Sequence, residues 1–452
     1  MTPSTTTPTT YPLNFLEYGY VAFEGLMRSM PQVYLLRLQR GFDADTVKSV
    51  ARELVSTNPR LRALVDPTLR THRLLVLPEG PVVDQLWDDA WEVAAHLDAA
   101  DRPAMEALHE RLHNLILPIE RGLMCKFVYV PHAVEPVLFM CVHHIVGDGR
   151  TMLHYVTQLC QRLAGGPHMA LQAVEAPPLS QAFGPPRWWQ YPAAVWRSLR
   201  HEKQQQKLIN ALDVVKLERE ASPYLSTHAL KHYQVPVPAS ALRRVARQLD
   251  VSLNGLVVMA MAETFLRMGN HAPKCAAVIR QAMDIRHLYP KSQGHGPLWG
   301  NHVGVFLLVE TGKKSWQERA KSIRAQVDEH VQRYARHEVF GRYAFMPAIA
   351  LLGRQVLSFL ATKMVRQARL PALSCYATNI GSLDRILSED ARGVLKDMTA
   401  TVPSPTFLQV VSEINDVVSM TASWQRSEFS KEDLGVYLSE LSQTFMQLAQ
   451  II

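Results

Sequence analysis

The most constraining feature of the sequence is an apolar run ending at Val142 that leads directly into His143-His144-Ile145-Val146-Gly147-Asp148-Gly149. Beyond Arg150 the apolar residues recur with a period near 3.6, which predicts a helix. The two histidines are therefore expected where a buried strand ends and a turn begins. Successive strand residues point to opposite faces, so His143 and His144 are expected to have different surroundings.

The residue types in this stretch favour proton-transfer chemistry. Histidine has a resting pKa near working pH, so it can accept and return a proton within one turnover. Gly147 and Gly149 are predicted to permit a tight turn through backbone torsions that other residues resist. The alternative is a pair of core histidines before an ordinary Asp-Gly turn. Four specified residues at fixed spacing after a strand favour the catalytic interpretation.

Composition limits the class of protein. The chain has 452 residues, of which 47% are hydrophobic and 20% charged, enough for two packed cores. The net charge of +7 is spread along the chain without a run of five or six like charges, which argues against a nucleic-acid-binding tail. A mildly positive surface would suit an acidic partner or a phosphate-bearing cofactor.

Several features predict a soluble cytoplasmic protein. The five cysteines form no CxxC pair and lie among apolar neighbours, so we expect free buried thiols. The Thr/Pro-rich start of the chain does not resemble a secretory signal. No uncharged run reaches the 18 or so residues that a membrane span needs.

The chain divides into two large units. Prolines between 177 and 192 mark a linker, so we expect a first unit at 1–171, a linker and crossover helix at 172–223, and a second unit at 224–452. The order of elements is not a clean βαβ alternation, which favours α/β units of the α+β sandwich type over a doubly wound sheet.

Periodicity predicts the individual elements. Strands are predicted over 33–38, 72–77, 125–130, 137–142, 229–237, 276–284, 303–309, 372–378, 406–411 and 417–424. Helices are predicted after Asp43, over 101–117, after Arg150, over 195–218, 239–248, 253–268, 316–334 and 344–368, and after Ser430, with Asp43 and Ser430 as caps.

The motif HHxxxDG resembles the signature of an acyltransferase superfamily. That superfamily contains condensation domains of non-ribosomal peptide synthetases, chloramphenicol acetyltransferase, CoA-dependent acyltransferases, and stand-alone wax ester synthases and polyketide-associated acyltransferases. Weaker resemblances occur in the same order along most of the chain: Pro12-Leu13-Asn14-Phe15-Leu16, Leu117–Leu123, Val251–Gly255, Met283-Asp284-Ile285-Arg286, Gly300-Asn301-His302 and Ala377–Gly381. The DFGWG motif of the plant members is absent.

The resemblance implies a fold and residue roles. The fold would be two chloramphenicol-acetyltransferase-like halves in a V-shaped pseudo-dimer with a central tunnel. His144 would be the general base and His143 a packing partner. Asp148 would pair with Arg286, and Asn301 would support the site.

The resemblance also implies the substrates. The donor would be a phosphopantetheine thioester, either acyl-CoA or an acyl carrier protein, with no bound cofactor or metal. The acceptor would be a small-molecule or lipid alcohol or amine. The expected activity is that of a stand-alone acyltransferase forming esters in lipid or polyketide-type biosynthesis. An amide-forming condensation enzyme and a non-catalytic carrier-docking protein on the same fold are the alternatives.

Competing motifs are weaker. His109-Glu110-Arg111-Leu112-His113 matches HExxH, a zinc pattern, but it lies on an amphipathic helix without a companion ligand motif. A second close pair, His228 and His232, lies on a strand-like segment. The motifs GxSxG, GxxxxGK[ST] and GxGxxG after a strand are absent, which disfavours Ser hydrolases, phosphate-loop ATPases and nicotinamide dehydrogenases.

Two further apolar segments have more than one interpretation. Arg187-Trp188-Trp189-Gln190-Tyr191, with Trp196, Arg197 and Arg200, is typical of a site lid or an interfacial segment. The second segment, 345–360, is an apolar stretch broken by Arg354. Packing between the two halves is the simpler explanation of both.

Overall fold

The computed structural model describes residues 9–27, 30–65, 73–172, 177–217, 227–290, 297–339, 341–344, 351–366, 372–427 and 431–451. The strands in these residues are β1 (Thr9–Pro12), β2 (Pro31–Leu38), β3 (Ala63–Val65), β4 (Arg73–Val76), β5 (Trp91–Val93), β6 (Cys125–Val130), β7 (Val137–His143), β8 (Asp213–Val214), β9 (His228–Gln234), β10 (Cys275–Asp284), β11 (Val303–Thr311), β12 (Cys375–Ser382), β13 (Leu395–Thr401), β14 (Leu408–Ile414) and β15 (Val417–Gln425). The helices are α1 (Phe15–Met27), α2 (Ala44–Thr57), α3 (Pro81–Ala90), α4 (Arg102–His113), α5 (Gly149–Leu163), α6 (Ser180–Phe183), α7 (Tyr191–Asn210), α8 (Ala239–Gln248), α9 (Leu253–Met268), α10 (Trp316–Ala335), α11 (Gly341–Ala344), α12 (Gly353–Arg366), α13 (Glu389–Arg392) and α14 (Lys431–Ala449).

Two mixed sheets form the frame of the described chain. One has the strand order β13-β2-β7-β6-β5, and the other has the order β11-β10-β12-β14-β15-β9, with β8 added beside β10. A small separate sheet has the order β1-β4-β3. The α/β halves expected from the order of elements are therefore present, each with its own sheet.

The first core surrounds β7. Every residue of β2 and β7 is buried, and both strands are largely apolar rather than alternating between apolar and polar residues. Helices α2 and α5 turn their apolar stripes towards this sheet. Asp43 caps α2, as predicted, by accepting a hydrogen bond from the Thr46 backbone N–H at 2.7 Å.

The second core surrounds α9. Ser252 caps this helix through the backbone N–H of Gly255 at 3.0 Å. The helix is apolar on all sides because it is covered by the sheet, by α8 and by α14. The bounds predicted for α8 and α9 are those observed.

Strand β13 connects the two halves. Although it belongs to the last third of the chain, it pairs antiparallel with β2 at the edge of the first sheet. The Ser412 hydroxyl of β14 donates to the carbonyl of Met398 in β13 at 2.8 Å, so β13 also contacts the second sheet. The two halves consequently share a strand.

Other predicted elements differ in detail. Helices α1 and α3 and strands β5 and β13 were not predicted from the sequence. Of the helix expected over 344–368, residues 353–366 are observed as α12, whereas α11 ends at Ala344. Residues 345–350 and 367–368 and the expected cap Ser430 lie outside the described residues. The prediction of free buried thiols is confirmed for all five cysteines.

Among the described residues, no single helix is long and apolar enough to cross a membrane. One bent pair, α8 with α9 at 89°, passes the same length and composition criteria when taken together.

Candidate active site

The two adjacent histidines face different surroundings. His143 ends β7 and is fully buried, and its Nδ1 accepts the Ile145 backbone N–H at 3.2 Å. Its Nε2 lies 3.7 Å from a carboxylate oxygen of Glu24. His144 is only partly buried and its backbone N–H donates to the carbonyl of Met30 at 2.8 Å. The more accessible of the two rings is thus that of His144.

Asn301 fixes the tautomer of His144. The Asn301 amide nitrogen donates to the His144 carbonyl at 2.8 Å, so the Asn301 oxygen is the atom 3.0 Å from His144 Nδ1. That oxygen can only accept, so Nδ1 carries the proton and Nε2 keeps its lone pair. The ring of His144 also stacks on Tyr20, with ring centroids 4.0 Å apart.

Burial holds His144 in its neutral form. Burial lowers the pKa of His144 below its ordinary value of 6.5, against hydrogen bonds and the charge of Asp148, which act in the opposite direction. A neutral imidazole with a free Nε2 lone pair at neutral pH is the form that a general base requires.

Asn301 is itself held by the first half of the chain. Its backbone N–H donates to Glu17 Oε1 at 3.2 Å, and its carbonyl accepts from the Asn14 side chain at 3.0 Å. Asn14 and Glu17 bond each other twice at the start of α1, through the Asn14 N–H at 2.8 Å and the Glu17 N–H at 3.1 Å. The sequence singled out the Pro12–Leu16 segment only as a resemblance, and this contact gives Asn14 a physical role.

Arg60 extends this network to the motif turn. It forms a fully buried ion pair with Glu17. Its Nε donates to the Val146 carbonyl at 2.8 Å, and its Nη2 donates to the Ile145 carbonyl at 3.2 Å. Sequence reasoning missed both charged residues, because the Asn58-Pro59 context of Arg60 was interpreted only as a helix stop.

The structure brings Asp148 and Arg286 together. Two parallel hydrogen bonds of 2.9 Å join Arg286 Nη1 and Nη2 to the two carboxylate oxygens. Asp148 also caps α5 through the Arg150 and Thr151 N–H groups and accepts the His302 N–H at 2.8 Å. Burial raises the pKa of Asp148, but the Arg286 guanidinium outweighs it and lowers the pKa to about 2.

A loop of the second half lies against the motif turn. Arg286 Nε donates to the Pro297 carbonyl at 2.7 Å and Nη2 to the Gly300 carbonyl at 3.2 Å. Gly147 forms a parallel β-bridge with Gly300, and the Asp148 N–H donates to the Gly300 carbonyl at 3.3 Å. The turn is thus closed from both halves.

The torsional explanation of the glycines is wrong. Neither Gly147 nor Gly149 has a positive φ, whereas their neighbour Gly300 does, at 92°. A Cβ on Gly147 would lie 2.5 Å from a carbon of Thr151, so its requirement is steric. A Cβ on Gly149 would approach no atom closer than the Tyr34 hydroxyl at 3.7 Å, which is ordinary contact.

Backbone donors in the turn are largely engaged. The N–H groups of Ile145, Val146 and Asp148 donate to His143 Nδ1, the His143 carbonyl and the Gly300 carbonyl. The N–H groups of Gly147 and Gly149 are therefore the candidates in this turn for stabilising an oxyanion on a reacting carbonyl.

The HExxH segment pairs with the second histidine pair. His109 Nδ1 lies 2.8 Å from His232 Nε2, and His113 packs edge to face on His228 with centroids 5.3 Å apart. The pairs belong to α4 and β9, so they form part of the contact between the halves. In the described part of the chain no group of three or more potential ligands could hold a metal ion.

The tryptophan segment is exposed. Trp188 and Trp196 are 80% and 59% exposed, so packing between the halves does not account for them. Arg187 lies over the ring of Trp189 and Arg200 over that of Trp196, each at 5.3 Å. The described part of the 345–360 segment is only partly exposed. Helix α12 packs against α1, while Leu351 and Phe359 remain exposed.

Solved structures share this architecture. The trichothecene 15-O-acetyltransferase TRI3 from Fusarium sporotrichioides superposes with a TM-score of 0.70 at 10% identity, over 99% of this chain and 97% of that one. The first condensation domain of the calcium-dependent antibiotic synthetase, in complex with a substrate analogue, gives 0.67 at 15% identity over 98% and 96%. The chain has the condensation-domain fold. The prediction of fold class is thereby confirmed, and the central tunnel remains a prediction.

A third match to the condensation-domain fold is the cyclization-docking bidomain EpoB from Sorangium cellulosum, with a TM-score of 0.65 at 15% identity over 98% of this chain and 86% of that one. No family model and no curated protein matches the chain. At these identities the likeness supports the fold, and the activity rests on the site.

Proposed function

We propose that this chain is an acyltransferase that moves an acyl group from a phosphopantetheine thioester to a hydroxyl group. The observation that carries the proposal is the His144–Asn301 pair. It leaves a neutral imidazole with its Nε2 lone pair available, and Asn301 fixes the tautomer from the other half of the chain.

His144 acts twice in the proposed reaction. Its Nε2 removes the proton of the acceptor hydroxyl while the oxygen attacks the thioester carbonyl. The tetrahedral intermediate then collapses, the C–S bond breaks, and the thiolate takes the proton from the imidazolium. Atoms and charge balance in this direct transfer. The proposed reaction forms no acyl-enzyme, because the five cysteines are buried.

Asp148 and Arg286 hold the turn and take no part in the chemistry. Their ion pair is buried and fully hydrogen-bonded, and it fixes the start of α5 against the 297–302 loop. His144 lies four residues before Asp148, so this pair positions the base.

The donor is proposed to be acyl-CoA or an acyl carrier protein. Both carry phosphates, and the net charge of +7 suits either. Amide formation on an amine acceptor is the second candidate function, because condensation domains superpose over 98% of the chain. Ester formation is the first candidate because TRI3, a 15-O-acetyltransferase, shows that this fold can carry O-acylation, and product analysis with alcohol and amine acceptors separates the two candidates.

We further propose peripheral contact of the 187–200 segment, which includes the first half of α7, with an anionic lipid surface. Exposed indole rings flanked by arginines are typical of membrane-interface segments, and Trp188, Trp189 and Trp196 are all more than half exposed. A lipophilic acyl chain or acceptor would then be taken from the membrane.

Mass spectrometry of thioester reactions tests the proposed activity. Acyl-CoA and acyl-carrier thioesters are incubated with matched alcohols and amines, and His144→Ala is run in parallel. We expect ester products from the native chain and none from His144→Ala. An inert native chain that binds carrier protein tightly would instead support a docking protein, and full activity of His144→Ala would refute the role of His144.

A further inference from the structure

Arg280 lies on the face of the second sheet that is turned towards the first half. In β10, Ile279 belongs to the core under α9, so Arg280 points to the opposite face, together with Val278. Across the sheet Arg280 pairs in register with Tyr376 of β12, and its guanidinium lies 5.5 Å from the centre of that ring. Tyr376 packs against the core of the first half.

Arg280 is close to the ring that contacts the base. Tyr376, whose ring the guanidinium faces, packs against the same core as Tyr20. The charge of Arg280 also acts on Tyr20, although burial is the main reason why the pKa of Tyr20 is raised. Tyr20 in turn stacks on His144 with ring centroids 4.0 Å apart. The guanidinium therefore belongs to the same inter-half region as the Nε2 lone pair of His144.

Arg280 is partly buried yet forms no side-chain hydrogen bond or ion pair with any residue that the structure describes. Other buried arginines of the chain form ion pairs. Arg286 pairs with Asp148, Arg60 with Glu17, and Arg319 with Glu263 and Glu310. A guanidinium carries five N–H donors, and leaving them unpaired at a partly buried position is unfavourable.

We propose that Arg280 binds a carboxylate of the substrate next to His144. This inference rests on the proposed acyl transfer and names its substrate class. The acyl group or the acceptor carries a carboxylate, which pairs with the planar guanidinium in the bidentate geometry that arginine favours. Tyr376 keeps the guanidinium in place by cation–π contact until the substrate arrives.

Two substrate pairs locate the carboxylate. Succinyl-CoA is compared with butyryl-CoA as donor, and 3-hydroxybutyrate with its amide as acceptor. The native chain is expected to prefer the charged member of one pair by about 10- to 100-fold in kcat/KM, the range for a hydrogen-bonded charge pair. Arg280→Met is expected to abolish that preference through KM, Arg280→Lys to retain part of it, and the exposed Arg244→Met to leave it unchanged.

Calorimetric binding of the same ligands separates this inference from the proposed function. Tighter binding of a carboxylate ligand that is lost in Arg280→Met supports the subsite even if no acyl transfer is detected. No charge preference in the native chain, or an equal loss for all four ligands in a folded Arg280→Met, would overturn the inference. If no thioester supports acyl transfer but charge-selective binding is retained, the proposed acyltransferase activity is refuted and the carboxylate site at Arg280 is not.

Discussion

At the scale of single residues, the site depends on contacts that cross between the halves. His144 comes from the end of β7, while Asn301 comes from the loop before β11, 157 positions later. Asn301 is positioned in turn by Asn14 and Glu17. The tautomer of the base is thus set by residues far away in the sequence.

Replacing Asn301 by aspartate should move the pH profile. A carboxylate next to Nδ1 stabilises the imidazolium, so the pKa of His144 rises and the acidic limb of kcat/KM shifts to higher pH. Initial rates from pH 5 to 8 measure the shift. Asn58→Asp, at a buried site bonded to Gln158, is the matched control. A limb that moves equally in both variants would argue against a specific role of Asn301.

Breaking the Asp148–Arg286 pair should destabilise the chain strongly. Asp148→Asn leaves the buried Arg286 with only the partly exposed Asp284 as an ion-pair partner, 3.2 Å away, so we expect a cost towards the lower end of about 3–5 kcal/mol in the free energy of unfolding. Urea unfolding measures the loss. The double variant Asp148→Asn/Arg286→Met should recover part of it, and additive losses would show that the two side chains are not coupled.

The sequence predicted some of these residues and not others. HHxxxDG identified His144 and Asp148 because their spacing is local. Glu17, Arg60 and Tyr20 could not be identified, because a buried ion pair or a ring stack formed by residues far apart leaves no local pattern. Arg280 looks like any polar residue in a strand until its missing partner is known.

At the scale of elements, local signals were sufficient where caps and periodicity agree. The apolar run over 253–268 predicted α9, and the cap Asp43 with the apolar face that follows it predicted α2. Strand β13 was missed because only part of it is apolar and its partner β2 lies about 360 positions away. Helix α1 was missed because the buried Glu17 and Glu24 interrupt its apolar face.

The 187–200 segment, which includes the first half of α7, should bind anionic vesicles. Sedimentation with phosphatidylcholine vesicles containing about one third phosphatidylglycerol is expected to retain the native chain more than pure phosphatidylcholine does, because arginines flank the exposed rings. Trp188→Ala/Trp196→Ala should weaken binding, while the exposed Leu171→Ala should not. Equal retention of all three proteins would refute the lipid contact.

At the scale of the whole molecule, the contact between α4 and β9 should weaken in acid. Burial lowers the pKa of His109, His113, His228 and His232, that of His232 to about 4. As the pH falls, these histidines therefore bind protons in the unfolded chain at a higher pH than in the folded chain. Stability is full above the ordinary value of 6.5 and falls as the pH drops towards 4, by up to about 1.4 kcal/mol per pH unit for each histidine.

The variant His113→Leu removes one of these four titrating histidines. Both ring nitrogens of His113 are buried and have no hydrogen-bond partner among the described residues, so leucine removes a titrating group without breaking a hydrogen bond seen there. Urea unfolding at pH 7.5 and 5.5 should show a smaller loss of stability in the variant than in the native chain. An identical loss would mean that His113 does not titrate on unfolding.

The pH dependence of kcat/KM for native and His144→Ala chains tests the central claim most directly. Because kcat/KM reports the free enzyme, the native profile should show an acidic limb with an inflection below 6.5, as the lowered pKa of His144 requires. His144→Ala should lose about 10²- to 10⁴-fold in rate at neutral pH, and that limb should disappear. Retention of the limb, or of the native rate, in His144→Ala would contradict the assignment of His144 as the base.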